Sequence, residues 1–123
     1  MKTIHIFILS SFIFFSCKKE IKVYEVTPYK LAIPSHFPDM PIPADNPMTV
    51  EGVELGRKLF YETKLSSDNT ISCASCHAPN KGFSDDREKS IGVNGAVGRR
   101  HSMALVNLGW QQFFFWDGRS ATL

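Results

Sequence analysis

The sequence predicts a small, mainly α-helical domain that is wrapped around a bound group. Apolar residues recur at helical spacing over 50–61, and no stretch shows the alternation of apolar and polar residues that is typical of a strand. The chain has 123 residues, of which a long proline-rich beginning adds little to a core. We therefore expect a thin apolar core whose stability depends on a cofactor.

The cofactor is indicated by residues 73–77, which read C-A-S-C-H. This is the C-x-x-C-H signature of covalent attachment of c-type haem. Cysteines three positions apart on a helical turn lie on one face, so the thiols of Cys73 and Cys76 can both reach the two vinyl groups of one porphyrin. His77 is then the predicted proximal ligand, with Nε2 on the iron and Nδ1–H donating to a backbone carbonyl that fixes the ring.

Two other kinds of site also contain C-x-x-C, namely half of a zinc site and a redox disulfide. Zinc requires two further ligands at suitable spacing, and neither a second C-x-x-C nor an H-x-x-x-H pattern follows in the sequence. A thioredoxin-like redox site lies within a βαβ unit, and the sequence predicts none. Haem c is therefore the favoured interpretation.

The first 48 residues predict export, followed by a tether. Lys2 precedes an apolar run over 4–15 that is too short for a membrane span and typical of a signal peptide, so we assign a lipoprotein-type signal peptide to residues 1–16. Cys17, which follows F-F-S, is the predicted lipidation site, with ordinary cleavage nearby as the alternative. Residues 17–48 are predicted to be a tether and a Pro-rich extended segment, because they hold all but one of the seven prolines.

These features predict a periplasmic protein that is anchored by lipid to a bacterial membrane. Export agrees with the cysteine motif, because c-type haem is attached outside the cytoplasm. The formal net charge of +2 is too small to indicate a nucleic-acid partner.

Residues 49–123 are predicted to form a partial, cytochrome c-like haem domain. Thr49 can cap a helix from Val50 to about Tyr61, with Glu51 favoured in its first turn by the helix dipole. We expect the apolar stripe of this helix to pack in the core. The stripe consists of Val53, Leu55, Leu59 and Phe60.

Further along the chain, residues 62–69 are predicted to be a loop in which Asp68 or Asn69 turns the chain or caps the next short helix. The segment 83–101 is predicted to be irregular, and its glycines are candidates for a loop that lies over a flat cofactor. Ser102 is the predicted cap of a second helix from Met103 to about Leu108.

The segment 110–116 contains five aromatic residues, and these can pack in the core or cover a hydrophobic macrocycle. Core packing is the prediction for residues 113–115. Residues 120–123 resemble the opening of another helix, so we expect the domain to continue beyond them.

Several sequence blocks together resemble the bacterial di-haem cytochrome c peroxidases and their relatives, which include the di-haem enzymes of methylamine dehydrogenase maturation. The resemblance covers about residues 49–123 and corresponds to the first part of the N-terminal domain, which holds the peroxidatic haem. The blocks are L-G-R-K-L-F at 55–60, L-S-S-D at 65–68, I-S-C-A-S-C-H at 71–77, K-G-F-S-D at 81–85, S-I-G at 90–92, G-R-R at 98–100 and F-W-D-G-R at 115–119.

The resemblance implies an oxidoreductase that reduces hydrogen peroxide to water with electrons from a small cytochrome c or a copper protein. It implies a second haem domain with its own C-x-x-C-H. Trp116 matches the family tryptophan that lies between the two haems, which makes it the implied electron path. Arg119 is implied to be structural, and Arg99 or Arg100 is implied to pair with haem propionates.

The sequence departs from the family pattern in two places. Val93 occupies the loop position at which regulated members carry a distal histidine, so this haem is expected to bind peroxide without reductive activation. His101 replaces an asparagine that contributes to a calcium site, and imidazole is a poor ligand for so hard a cation. The sequence therefore argues against a calcium site. His101 is instead a candidate ligand of the haem iron. The family's general acid and its partner amide lie beyond Leu123, so no residue is assigned to acid–base catalysis.

The competing interpretation is a mono-haem c-type lipoprotein that transfers electrons. Such carriers use a methionine as the sixth iron ligand, and Met103 is the better candidate, with Met48 as the weaker one. A third interpretation is a zinc-binding or structural lipoprotein without enzymatic activity.

Overall fold

The computed structural model describes residues 24–122. The predicted signal peptide at 1–16 and the predicted lipidation site at Cys17 lie outside the described residues, as does Leu123. Among the described residues, helix is the regular secondary structure, and β pairing is limited to isolated bridges. This agrees with a small, mainly helical class. Within this part of the chain, no helix combines the length and the apolar character that a membrane span requires.

The main helix, α1, spans Val50–Tyr61, as the sequence predicts. Its N-cap is Thr49, whose side-chain oxygen accepts a hydrogen bond from the backbone N–H of Gly52 at 3.0 Å. Such a cap stabilises a helix by about 1 kcal/mol because it satisfies a donor that has no partner within the helix. Glu51, in the first turn, accepts a further hydrogen bond from the backbone N–H of Thr27.

A second, single-turn helix, α2, spans Cys73–Cys76 and contacts α1. Its N-cap is Ser72, whose backbone N–H donates to the hydroxyl of Ser75. Asp68 shapes the preceding turn, since its carboxylate accepts from the backbone N–H and the hydroxyl of Thr70. Of the two predicted alternatives for Asp68 or Asn69, the turn is the one observed, and the cap of α2 is Ser72 instead.

The remaining helical turns are short 3₁₀ helices at Thr63–Leu65, Pro79–Lys81, Val93–Gly95 and Leu108–Trp110. The segment 83–101 is otherwise irregular, as predicted, and is closed by bridges between Ala78 and Ser84 and between Ile91 and Val97. Gly98 passes so close to the backbone carbonyl oxygen of Ser90 that a Cβ would lie 3.0 Å from it. Glycine therefore suits this close approach of the chain to itself, since a Cβ would require the Ser90 carbonyl to shift by a few tenths of an ångström.

The predicted helix from Met103 to Leu108 is wrong. Ser102 does not cap a helix, because its hydroxyl is hydrogen-bonded to the hydroxyl of Ser90. The backbone N–H of Leu105 donates to the carbonyl of Phe83, and Asn107 has a left-handed backbone with φ of 52°. These bonds to a remote segment replace the i to i−4 bonds of a helix. Residues 120–122 are also not helical.

The proline-rich segment is joined to the domain at both ends. The backbone of Tyr29 donates to Met48, and that of Val50 donates to Thr27, which forms a short antiparallel pairing. The described end of the predicted tether is thus hydrogen-bonded to the start of α1. Farther along, the indole N–H of Trp110 donates to the carbonyl of Pro38 at 2.9 Å.

The described residues contain no buried apolar side chain. The one buried residue is Ser102, which is 9% exposed. The prediction that the α1 stripe packs in a core is wrong for Leu55 and Leu59, and the same prediction for residues 113–115 is wrong for Phe113 and Phe115, because all four are exposed. Of these four, only Phe115 lines the cavity described below.

Candidate functional site

The two cysteines of the C-x-x-C-H motif lie at the two ends of α2, on one helical turn. Cys73 is exposed and Cys76 is half-buried, and both are free thiols. The sulfur of Cys76 lies 3.8 Å from the carbonyl oxygen of Ile91, so the loop that contains Ile91 adjoins this cysteine. The turn therefore presents two thiols whose side chains can reach the same bound group.

His77 follows directly as the C-cap of α2, and its ring is held by a backbone carbonyl. Its Nδ1 lies 3.1 Å from the carbonyl oxygen of Phe83. A carbonyl oxygen can only accept, so Nδ1 carries the hydrogen and Nε2 keeps its lone pair for a metal. The carbonyl partner that the sequence argument requires is present, and its identity as Phe83 comes from the structure.

Phe83 has a left-handed backbone, with φ of 56°. A bulky residue in this region is uncommon and strained. Its carbonyl accepts both from His77 and from the backbone N–H of Leu105. The strained turn thus fixes the imidazole and joins the motif to the segment that was predicted as a helix.

A cavity with a volume of about 1090 Å³ is bordered by His77. This is near the upper end of the range for small-molecule sites, roughly 300–1,000 Å³. Its walls combine an imidazole, apolar side chains and two guanidinium groups. The apolar side chains are Met103, Leu105, Leu108, Phe114, Phe115 and Trp116, and the guanidinium groups are Arg100 and Arg119.

The donor set and the cavity fit haem c. The macrocycle is flat and apolar, its propionates are anionic, and its iron takes imidazole. His77, whose Nδ1 is bonded to a carbonyl, lines the cavity together with apolar side chains and two arginines. The glycines of the 92–98 loop do not line this cavity, so the idea that this loop lies over the cofactor has no support from its position.

The F-W-D-G-R motif forms a tight turn. The backbone N–H of Phe114 donates to Ser120, and that of Gly118 donates to Phe115. Phe115 has a left-handed backbone with φ of 67°. Trp116 borders the cavity yet is 92% exposed, so its indole is accessible to a neighbouring group. This position is compatible with the implied electron path.

Asp117 connects two arginines within this motif. Its carboxylate accepts from Arg100 at 3.1 Å and from Arg119 at 2.9 Å. Desolvation raises the pKa of Asp117, but the hydrogen bonds from Arg100 and Arg119 outweigh it, and the pKa lies below its ordinary value. The guanidinium of Arg119 also lies 3.5 Å from the centre of the Phe115 ring. Sequence reasoning assigned no role to Asp117, and only the fold brings Arg100 beside it.

His101 borders the cavity, but both of its ring nitrogens are hydrogen-bonded. Nδ1 lies 2.7 Å from the carbonyl oxygen of Arg87, and Nε2 lies 3.1 Å from the hydroxyl of Ser84. Iron binding by His101 would require one of these bonds to break. Met103 is half-buried and borders the same cavity, so its role as a sixth ligand stays a prediction.

Val93 is half-buried at the start of its 3₁₀ helix and does not line the cavity. Of the histidines in the described residues, His77 and His101 border the cavity and His36 does not. His36 instead packs edge-to-face against Phe37. The expectation of an open iron face at this haem stays a prediction.

Comparison with known proteins identifies relatives of this chain. Residues 50–123 match the family model of the di-haem cytochrome c peroxidases. The chain is 48% identical over 86 residues to cytochrome c peroxidase Ccp of Escherichia coli (strain K12), which covers 70% of this chain and 18% of that protein. It is 39% identical over 84 residues to methylamine utilization protein MauG of Methylorubrum extorquens, which covers 68% of this chain and 24% of that protein.

Among solved structures, the crystal structure of a MauG-like protein associated with microbial copper homeostasis is similar, with a TM-score of 0.72 and 38% identity. The match covers 77% of this chain and 30% of that one. The chain therefore spans about a fifth to a third of the length of these relatives. On the family match and on the cavity beside the C-x-x-C-H turn, the chain belongs to the di-haem cytochrome c peroxidase family.

Proposed function

We propose that this chain is the first part of the peroxidatic haem domain of an exported peroxidase, which reduces hydrogen peroxide to water with electrons from a small cytochrome c or a copper protein. The observation that carries the proposal is the imidazole of His77. It borders an apolar cavity directly after the two cysteines, with Nδ1 bonded to a backbone carbonyl. Family membership supports the peroxidase reaction over the mono-haem carrier, because the relatives are named as peroxidases and MauG proteins.

The proposed attachment uses both thiols of the motif. Each thiol would add across a vinyl double bond, with sulfur bonding to one carbon and the hydrogen going to the other, without an oxidant. His77 would bind the iron through Nε2. Haem c would supply the redox-active iron centre of the peroxidase reaction. The side chains of this segment hold and shield that group, and no acid–base residue is proposed within it.

The protein partners follow from the same assignment. Trp116, which is almost fully exposed at the cavity border, is proposed to conduct electrons from the second haem. The proposed location is the periplasm, with a lipid anchor at Cys17. Calcium is not proposed as a cofactor, because His101 stands at the family's asparagine position and its ring nitrogens are bonded to Ser84 and Arg87.

Electron delivery through Trp116 can be tested in the mature holoprotein. We expect Trp116→Phe to lower the rate of peroxide reduction by more than tenfold with a reduced donor protein, and to leave the binding of cyanide to the ferric haem unchanged. Trp110→Phe is a matched control, because Trp110 is bonded to Pro38 and does not line the cavity. Equal rates for the Trp116 variant and the wild type would exclude this electron path.

A further inference from the structure

A second cavity, of about 620 Å³, is lined by three arginines: Arg99, Arg100 and Arg119. Arg100 and Arg119 also border the cavity that contains His77, whereas Arg99 does not. The two cavities therefore share a border made of guanidinium groups. Sequence reasoning treated Arg119 as structural and expected only one of Arg99 and Arg100 to contact an anion.

Positive charge in this cluster exceeds negative charge. Asp117 is the one carboxylate that pairs with these arginines among the described residues, and it is shared by Arg100 and Arg119. Arg99 forms no ion pair with any residue that the structure describes. Three guanidinium groups and one carboxylate leave an excess of about two positive charges, which favours an anion.

The cluster is also held in place before any ligand arrives. Asp117 accepts from Arg119 through both oxygens, at 2.9 and 3.2 Å. The face of Phe115 supports the same guanidinium from the other side, at 3.5 Å. Guanidinium groups that are fixed in this way lose less entropy when they bind a planar oxyanion through paired hydrogen bonds.

We propose that Arg99, Arg100 and Arg119 form a binding site for a carboxylate or phosphate group. Two sources can supply this chemistry. The first is a propionate of the bound haem, which would reach Arg100 and Arg119 from the cavity of His77, and this source rests on the proposed haem function. The second is a free oxyanion in the arginine cavity, which is independent of it.

Two measurements on the mature holoprotein separate these sources. Calorimetric titration with inorganic phosphate, at constant ionic strength, reports a free oxyanion. Potentiometric titration of the haem at several pH values reports a propionate, since an arginine that pairs with a propionate affects both the potential and its pH dependence. The variants are Arg99→Gln, Arg100→Gln and Arg119→Gln. Arg57→Gln on α1 is the control, because it removes the same charge outside the cluster.

For a free oxyanion, we expect phosphate to bind the wild type and to bind Arg99→Gln and Arg119→Gln at least tenfold more weakly. For a propionate, we expect no phosphate binding, a lower potential in Arg100→Gln and Arg119→Gln, and a pH dependence of the potential that moves to higher pH. Arg119→Lys keeps the positive charge but loses the paired N–H donors of the guanidinium. Its potential should therefore lie between those of the wild type and Arg119→Gln.

The proposal is overturned if phosphate does not bind and if the cluster variants change the potential and its pH dependence no more than Arg57→Gln does. Loss of Asp117 contacts can disturb folding in Arg100→Gln and Arg119→Gln, but Arg99→Gln removes no described ion pair and so remains informative. Covalent haem content, measured separately by the pyridine haemochrome assay, decides the proposed function. A protein that lacks haem yet is folded would refute that function, and phosphate binding by such a protein would still support the free-oxyanion site.

Discussion

The C-x-x-C-H turn at 71–84 and the segment at 102–120 border the same cavity, yet they are held in different ways. In the first, the backbone of Ser72 bonds to Ser75, and His77 bonds to Phe83 only six residues away. In the second, Ser102 bonds to Ser90, and the indole of Trp110 bonds to Pro38 across 72 residues of sequence. The turn is stabilised mainly by nearby residues, whereas residues 102–110 of the later segment are held by bonds to remote parts of the fold.

This difference has a consequence for the role of the cofactor. Locally bonded turns can form without a core, but the later segment contributes Phe113, Phe115 and Trp116, which remain exposed. Apolar surface that is left in contact with water gives up about 25 cal/mol per Å² of potential stabilisation. A covalent macrocycle in the cavity would cover part of this surface. We therefore expect removal of the attachment to damage the later segment more than the turn.

The largest expected effect is that of removing the thiols. Cys73→Ala with Cys76→Ala should abolish covalent haem and give a product without a cooperative thermal transition, because the cavity lining loses its apolar partner. Far-UV circular dichroism with temperature, together with haem content, measures this. Ala74→Ser, which lies between the cysteines, is the control and should melt like the wild type. A double variant with an unchanged melting curve would contradict the idea that the cofactor replaces a core.

A histidine at the loop position of Val93 should alter the haem without altering the fold. Val93 does not line the cavity, so a histidine there reaches the iron only if its loop moves towards the haem. With that movement, Val93→His should supply a second imidazole, convert a high-spin ferric haem to a low-spin one, and slow the reaction with peroxide by more than tenfold. Stopped-flow spectroscopy of the oxidised protein measures both properties. Val97→His, in the same loop but exposed, is the control. A wild-type haem that is already low-spin would refute the open-site argument.

The two kinds of bonding can be compared directly through their hydroxyl groups. Ser102→Ala removes the close partner of the half-buried hydroxyl of Ser90 and leaves that hydroxyl with only a 3.5 Å contact to the carbonyl of Arg100, so it should lower the free energy of unfolding by about 1–2 kcal/mol. Thr49→Ala removes the cap of α1 and should cost about 1 kcal/mol. Urea unfolding of the holoprotein measures both, with the exposed Ser67→Ala as a control near zero. A larger loss of unfolding free energy in Thr49→Ala than in Ser102→Ala would contradict the expectation that the remote bond matters more than the local cap.

The smallest effect is expected from the pH dependence of Asp117. Its pKa in the folded protein lies below the ordinary value, so its stabilising contribution is complete above the unfolded pKa of about 4 and is lost as pH falls through the folded value. Asp117→Asn should therefore flatten the stability profile below about pH 4. Urea midpoints measured across this range test it, with the exposed Asp39→Asn as the control. If Asp117→Asn and the wild type lose stability equally as the pH falls, the ion pairs of Asp117 do not contribute to stability.

Sequence reasoning succeeded where the structural cause is local. Thr49 and the apolar spacing after it predict α1 with its observed ends, and C-x-x-C-H places both cysteines on one turn followed by an imidazole with a carbonyl partner. Each of these features depends on residues that are no more than six positions apart in the sequence.

Sequence reasoning failed where the cause is remote. Ser102 looks like a cap, but its hydroxyl is taken by Ser90, and the following backbone bonds to Phe83 in place of a helix. The apolar stripe of α1 looks like a core face, yet Leu55 is 56% exposed. The shared carboxylate of Asp117 likewise requires Arg100 to be brought from 17 positions away. A single sequence carries no direct signal for such pairings.

The most direct test of the central claim is the optical spectrum of the protein produced in a host that attaches c-type haem, recorded oxidised and reduced, with and without hydrogen peroxide. If His77 binds the iron and the opposite face is open, the attached haem is high-spin when ferric and its spectrum changes on addition of peroxide. A low-spin haem that carries a methionine–iron band and is inert to peroxide would contradict the claim and indicate Met103 as the ligand.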